Sequence, residues 1–165
     1  MRTKLLLILA LPLVMASCIK DEPDNNTCQL TLSTKVAPAP EVASVQNYLA
    51  ASSITATQHP SGLFYVINNP GAAITPTACS AVTVKYVGRL TNGSVFEDSN
   101  TDHPGGITFT LGQLISGWQI GIPLVQKGGS ITLYIPPSLG YGPNPSGPIP
   151  GNSILIFTID LVNVQ

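Results

Sequence analysis

The sequence is poor in charge. Lys and Arg number seven against eight Asp and Glu, and charged residues make up only 9% of 165 positions. Nucleic-acid recognition needs a basic patch or stripe, and no cluster of Lys or Arg is present. No glycine-rich loop has the spacing that cradles a phosphate. There are two histidines, His59 and His103, in separate loops without ligand spacing, so they read as surface residues and no metal is expected. Aromatic residues are scarce at 6%, with a single tryptophan, Trp118. The apolar run Leu5 to Met15, broken by Pro12, is too short to span a bilayer as a stable helix. What is abundant is Gly and Pro, at 15 each, which fits a turn-rich, strand-heavy fold better than a helical bundle.

The first 17 residues have the form of a secretory signal. Arg2 and Lys4 precede the apolar run, and the small residues Ala16 and Ser17 lead to Cys18. Met15-Ala16-Ser17-Cys18 resembles the lipobox of bacterial lipoproteins, in which Cys18 is acylated and becomes the mature N-terminus. The alternative is an ordinary signal peptide cut nearby, leaving a soluble protein. With three acyl chains, as in bacterial lipoproteins, membrane anchoring would be firm, since one chain alone binds only marginally. Lys20-Asp21-Glu22 resembles the acidic export signal of surface lipoproteins in Bacteroidetes, and equally reads as a solvated charge run. The location implied is the cell envelope, on an outer membrane, facing the periplasm or the surface.

Residues 18–40 are polar and end in alternating Ala and Pro, the composition of a flexible tether. Residues 41–61 form a helical extension. Val42, Val45, Tyr48 and Leu49 recur at three- and four-residue intervals over 41–51, and Glu41 lies in the first turn, where the helix dipole favours an anion. From residue 62 onward the pattern is that of short strands. Strands are expected at 62–66, 82–90, 94–97, 107–111, 130–135 and 153–164. Asn68-Asn69-Pro70-Gly71 and Asn92-Gly93 mark turns. Residues 98–106 and 136–151 read as loops. Leu114 to Ile122 is apolar enough for a short buried helix ended by Pro123.

Seven short motifs then occur in one order: Val84-Lys85-Tyr86-Val87-Gly88, Gly93-Ser94-Val95-Phe96, Phe109-Thr110-Leu111-Gly112, Gly117-Trp118, Leu139-Gly140-Tyr141-Gly142, Ile149-Pro150 and Leu155-Ile156-Phe157. Together they resemble the FKBP-type peptidyl-prolyl cis-trans isomerases. The resemblance covers about residues 62–165. It implies an α+β fold, a twisted antiparallel β-sheet wrapped around one short α-helix, here with the helical extension in front.

The resemblance also implies a site. Trp118 forms a pocket floor under a substrate proline. Tyr86, Phe96, Leu114, Ile115 and Phe157 line the walls, and Ile149 caps the pocket from the long loop. The backbone N–H of Ile115 and the hydroxyl of Tyr141 hold the substrate by hydrogen bonds. No cofactor is implied, and proline-containing polypeptides are the partners. Nothing in the sequence points beyond a monomer. Three departures fall on the rim. The family's usual Asp after the Phe96 position is Glu97, followed by Asp98, and either carboxylate can take that place. Ile107 stands where an aromatic is usual. The loop after Asp98 has no counterpart of the family's arginine. The departures leave two readings open: an envelope isomerase that assists folding of exported proteins, and a non-catalytic module that binds proline segments as a chaperone or adaptor.

With Cys18 acylated, Cys28 and Cys79 remain. An even pair outside the cytoplasm suggests a disulfide; the alternative is two free thiols.

Overall fold

The computed structural model describes residues 28–165. The expected signal segment 1–17, the acylation site Cys18, the Lys20-Asp21-Glu22 motif and the first part of the tether lie outside the described residues.

Among the described residues, seven strands form one antiparallel sheet. They are β1 (Thr57–Gln58), β2 (Phe64–Asn69), β3 (Ala81–Leu90), β4 (Val95–Asp98), β5 (Ile107–Thr110), β6 (Ser130–Ile135) and β7 (Leu155–Val164). The order is β1-β2-β6-β7-β3-β4, and β5 also pairs with β3. β4 and β5 share one edge of β3: β5 pairs with Ala81 to Val84, and β4 pairs with Val87 to Arg89. The chain between them leaves the sheet as a short helix, α2 (Ser99–Asp102). Residues 98–106 are therefore not wholly a loop, as their polarity suggests. Asp98 supplies the N-cap, accepting from the Asn100 backbone N–H as short polar side chains do at helix starts.

The long strands alternate as their sequences require. In β3, Val82, Val84, Tyr86 and Gly88 are buried while their neighbours are only partly so. In β7, Leu155, Phe157, Ile159 and Leu161 point inward, because successive side chains of a strand lie on opposite faces. They meet Leu133, Ile135, Leu111, Ile122 and Trp118 in one apolar core. The Trp-bearing helix, α3 (Ser116–Gly121), is shorter than expected and runs on into a 3₁₀ turn at Ile122–Leu124. Pro123 lies within the first turn of that 3₁₀ segment, where its missing N–H costs nothing. Gly117 lets α3 approach β6: a Cβ there would stand 2.6 Å from Ile135 Cγ2.

The helical extension is α1 (Ala39–Ala51), two residues longer at its start than the apolar stripe indicates. Pro40 sits inside its first turn, a position pre-organised for proline. Val45 and Leu49 are buried with Phe64 and Tyr134 in a second cluster. The tether expectation needs correction from residue 28 onward. Cys28 is disulfide-bonded to Cys79, with Cα atoms 5.9 Å apart. Leu32 packs against the core, and Ala37 is buried, its N–H donating to Ser61 O at 2.8 Å. A handful of apolar side chains and one covalent link are enough to lay a polar segment along the domain. No described helix is long and apolar enough to cross a membrane.

Candidate active site

The inner faces of β3, β5 and β7, the start of α3 and the loop after β6 converge on a cavity of about 190 Å³ that opens to solvent. Its lining is Tyr86, Glu97, Phe109, Leu114, Ile115, Trp118, Tyr141 and Phe157. Trp118 is 4% exposed. Three rings meet it nearly at right angles: Tyr86 with centroids 4.9 Å apart, Phe157 at 5.1 Å and Phe109 at 6.3 Å. Edge-to-face contact places the positive rim of one ring on the negative face of another, and each such pair contributes about 0.5–1.5 kcal/mol beyond burial. These contacts fix the rings in place before any ligand arrives. The Trp118 indole N–H is buried without a conventional hydrogen-bond partner among the described residues.

One charged side chain borders this apolar space. The Tyr86 hydroxyl donates to Glu97 Oε1 at 2.5 Å. Burial first, then the hydrogen bond and charge of Glu97, push the Tyr86 phenol well above its ordinary value. Tyr141, at the open side and 42% exposed, is shifted upward as well, by burial and then by Glu97. Both phenols therefore hold their protons to higher pH than an exposed tyrosine does.

The β3–β4 register decides which carboxylate reaches the pocket: Glu97 is opposite Gly88, on the Tyr86 face, and Asp98 is opposite Val87, on the other. Gly88 pairs with Glu97, but Arg89 pairs with Val95, so Phe96 is an extra, unpaired residue. Such a bulge locally bends the strand. Glu97 reaches Tyr86, while the Phe96 ring packs edge-on against Phe157 at 5.4 Å. Asp98, next along, accepts from the backbone and side-chain N–H groups of Asn100. Those bonds hold its carboxyl below the usual carboxylate range. Of the two carboxylates left open by the sequence, Glu97 lies in the pocket and Asp98 does not.

Three further expected residues stand outside the lining. Phe96 backs Phe157 instead of facing the cavity. Ile107 is paired with Val84 in the sheet and packs against the core. Ile149 is buried at 6% exposure, within a turn where Ser146 and Ile149 exchange backbone bonds. Its apolar side chain is drawn into the core. Conversely, Phe109 lines the pocket although only its motif was noted in the sequence. Period-two alternation from Ile107 was the available signal.

The Ile115 segment is held from α3. Gln119 Nε2 donates to Leu114 O at 2.7 Å and to Gly112 O at 3.2 Å, and Ile115 O accepts from Trp118 N–H at 2.9 Å. The Ile115 N–H is not among the backbone donors bonded within the described residues. His59 Nδ1 bonds Ser61 Oγ at 2.9 Å, His103 ends α2, and no group of three metal-ligating side chains occurs among the described residues. The pocket thus offers an apolar aromatic floor at Trp118 with Tyr86, Tyr141 and Ile115 among its lining residues.

A family model described as FKBP-type peptidyl-prolyl cis-trans isomerase matches residues 73–162. The chain is 45% identical over 106 residues to the FKBP-type peptidyl-prolyl cis-trans isomerase FkpA of Buchnera aphidicola subsp. Schizaphis graminum, a match covering 64% of this chain and 42% of that protein. It is 39% identical over 107 residues to the outer membrane protein MIP of Legionella longbeachae, covering 64% and 46%. The crystal structure of FkpA from Escherichia coli superposes with a TM-score of 0.69 at 32% identity, over 77% of this chain and 60% of that one. The matched region spans less than half the length of these two curated relatives. The chain belongs to the FKBP-type peptidyl-prolyl cis-trans isomerase family.

Proposed function

We propose that this protein is a peptidyl-prolyl cis-trans isomerase of the cell envelope that assists folding of exported proteins. The observation that carries the reading is the pocket itself: an aromatic floor at Trp118, walls of Phe109, Leu114, Ile115 and Phe157, and polar groups confined to the Tyr86–Glu97 pair and Tyr141.

The peptide C–N bond resists rotation by about 18–20 kcal/mol because of its partial double-bond character. At X-Pro bonds both isomers are populated, and they exchange over roughly tens to hundreds of seconds. No bond has to be broken. A catalyst must bind the twisted amide better than the planar one. A proline ring seated on Trp118 removes its amide from water, and water otherwise stabilises the planar, polarised carbonyl. Donors set for the twisted geometry, the Ile115 N–H and the Tyr141 hydroxyl, then favour the transition state. Each 1.4 kcal/mol removed from the barrier is about tenfold in rate.

The envelope location rests on the secretory pattern of residues 1–17, on Cys18 as lipid anchor, and on the name of the Legionella longbeachae relative, an outer membrane protein. The Cys28–Cys79 bridge fits an oxidising compartment. The domain acts as a monomer, and its partners are proline-containing polypeptides.

The test is an X-Pro isomerisation assay on a short peptide, run with wild type and with Trp118→Ala and Phe157→Ala variants checked for folding. Acceleration lost in both variants is expected. Peptide binding without acceleration would overturn catalysis and favour the non-catalytic adaptor. Metabolic lipid labelling, lost in Cys18→Ser, tests the anchor.

A further inference from the structure

α1 lies outside the matched family region, yet one of its side chains reaches the loop that carries Tyr141. Glu41 Oε2 accepts the Ser138 backbone N–H at 2.8 Å, a partly buried contact between residues 97 positions apart. The first turn of α1 and this loop together line a shallow surface cleft, with Pro40, Glu41, Ser44, Pro137, Asn152 and Ile154 around it.

The Ser138 N–H and the Pro137 C=O belong to the same planar peptide group. On its other side, the Pro137 oxygen accepts from Gly140 N–H at 3.0 Å and from Gly142 N–H at 2.9 Å. Those two residues bracket Tyr141. The chain of contacts is therefore Glu41 carboxylate, 137–138 peptide, then the two amides on either side of Tyr141. A charged acceptor forms a stronger hydrogen bond than a neutral one. A peptide group polarised at its N–H is also a better acceptor at its oxygen. Rotation of this one peptide plane would break all three bonds together.

We infer that Glu41 is a positioning residue: it locks the 137–138 peptide so that the Gly140-Tyr141-Gly142 turn holds the Tyr141 hydroxyl over the pocket. The helical extension thereby becomes part of the site's support. The role rests on the isomerase reading, because it assigns Tyr141 a place in substrate binding.

The experiment uses the full chain with Glu41→Ala, Glu41→Gln, Tyr141→Phe and the Glu41→Ala/Tyr141→Phe double variant. Two quantities are read: hydrogen exchange of the Gly140 and Gly142 amides, and kcat/KM on an X-Pro peptide. In Glu41→Ala, exchange at both amides rises about five- to tenfold, the equivalent of one ordinary hydrogen bond. kcat/KM falls no further than in Tyr141→Phe, and the double variant equals Tyr141→Phe alone. Glu41→Gln, which keeps an acceptor oxygen, restores most of both. Unchanged exchange in Glu41→Ala overturns the inference, whatever the protein's activity. Altered exchange with wild-type kcat/KM, or additive losses in the double variant, also overturns it by reducing Glu41 to a stabilising contact. A wild-type protein inactive on the peptide overturns the isomerase reading instead; peptide affinity then takes the place of kcat/KM in the same comparison.

Discussion

The Tyr86 hydroxyl and the Glu97 carboxylate meet at 2.5 Å across the mouth of an otherwise apolar pocket. They come from neighbouring strands: Glu97 pairs with Gly88, which shares a face of β3 with Tyr86, whereas Asp98 pairs with Val87 on the other face. Glu97→Ala is expected to weaken proline-peptide binding and lower kcat/KM, whereas Asp98→Ala, whose carboxylate only caps α2, leaves both near wild type. Peptide titration of the two variants checks this, and equal losses in both would remove the distinction between the carboxylates.

The same pair sets a pH dependence. Burial and Glu97 raise the Tyr86 phenol in the folded state above the value of about 10 typical of an exposed tyrosine. A raised pKa means that the folded state holds this proton more tightly than the unfolded chain. The contribution to stability is therefore complete below pH 10 and is lost as pH rises through the folded value. Denaturant unfolding from pH 8 upward should show stability falling above about pH 10, with a shallower fall in Tyr86→Phe. Parallel curves would exclude the contribution.

Trp118 and Phe157 are both nearly fully buried, so they serve as pocket and core together. Phe157→Ala should cost about 3–5 kcal/mol, as large-to-small changes at buried aromatics do. The measurement is equilibrium unfolding beside the isomerisation assay. A variant that stays folded under assay conditions yet keeps wild-type activity would separate the ring from catalysis.

The Cys28–Cys79 bridge closes a loop with a sequence separation of 51. In the chain-entropy view, a cross-link of that length stabilises by about 4 kcal/mol. Cys28→Ser/Cys79→Ser should therefore unfold at lower denaturant, with activity retained in the folded state, because neither cysteine touches the pocket. Intact mass with and without reductant checks the bridge itself: two free thiols in oxidised protein would contradict it.

Gly117 faces Ile135 on β6. Gly117→Ala should push α3 from the sheet at a cost of about 1–3 kcal/mol, typical of an overpacked core. Because Trp118 follows directly, Trp fluorescence should shift with stability. An unchanged spectrum and an unchanged midpoint would show that the helix approaches β6 less tightly.

Local chemistry made much of this protein legible in its sequence. Alternation in 82–90 and 153–164 marked β3 and β7 and separated their two faces, because side chains of a strand change sides at every residue; which face turns inward was decided by packing. The three- and four-residue spacing of Val42, Val45 and Leu49 marked α1, and the ordered motifs marked the family. Relations between distant segments were left to the tertiary structure. Alternation puts Glu97 and Asp98 on opposite faces but cannot set the register against β3, so it could not choose Glu97 over Asp98. Composition could not foresee that a polar segment from residue 28 would lie along the domain, since its hold comes from Cys79 and Ser61 far along the chain. Nor could it pair Glu41 with Ser138, because that hydrogen bond exists only once α1 and the loop after β6 have been brought together by the sheet between them.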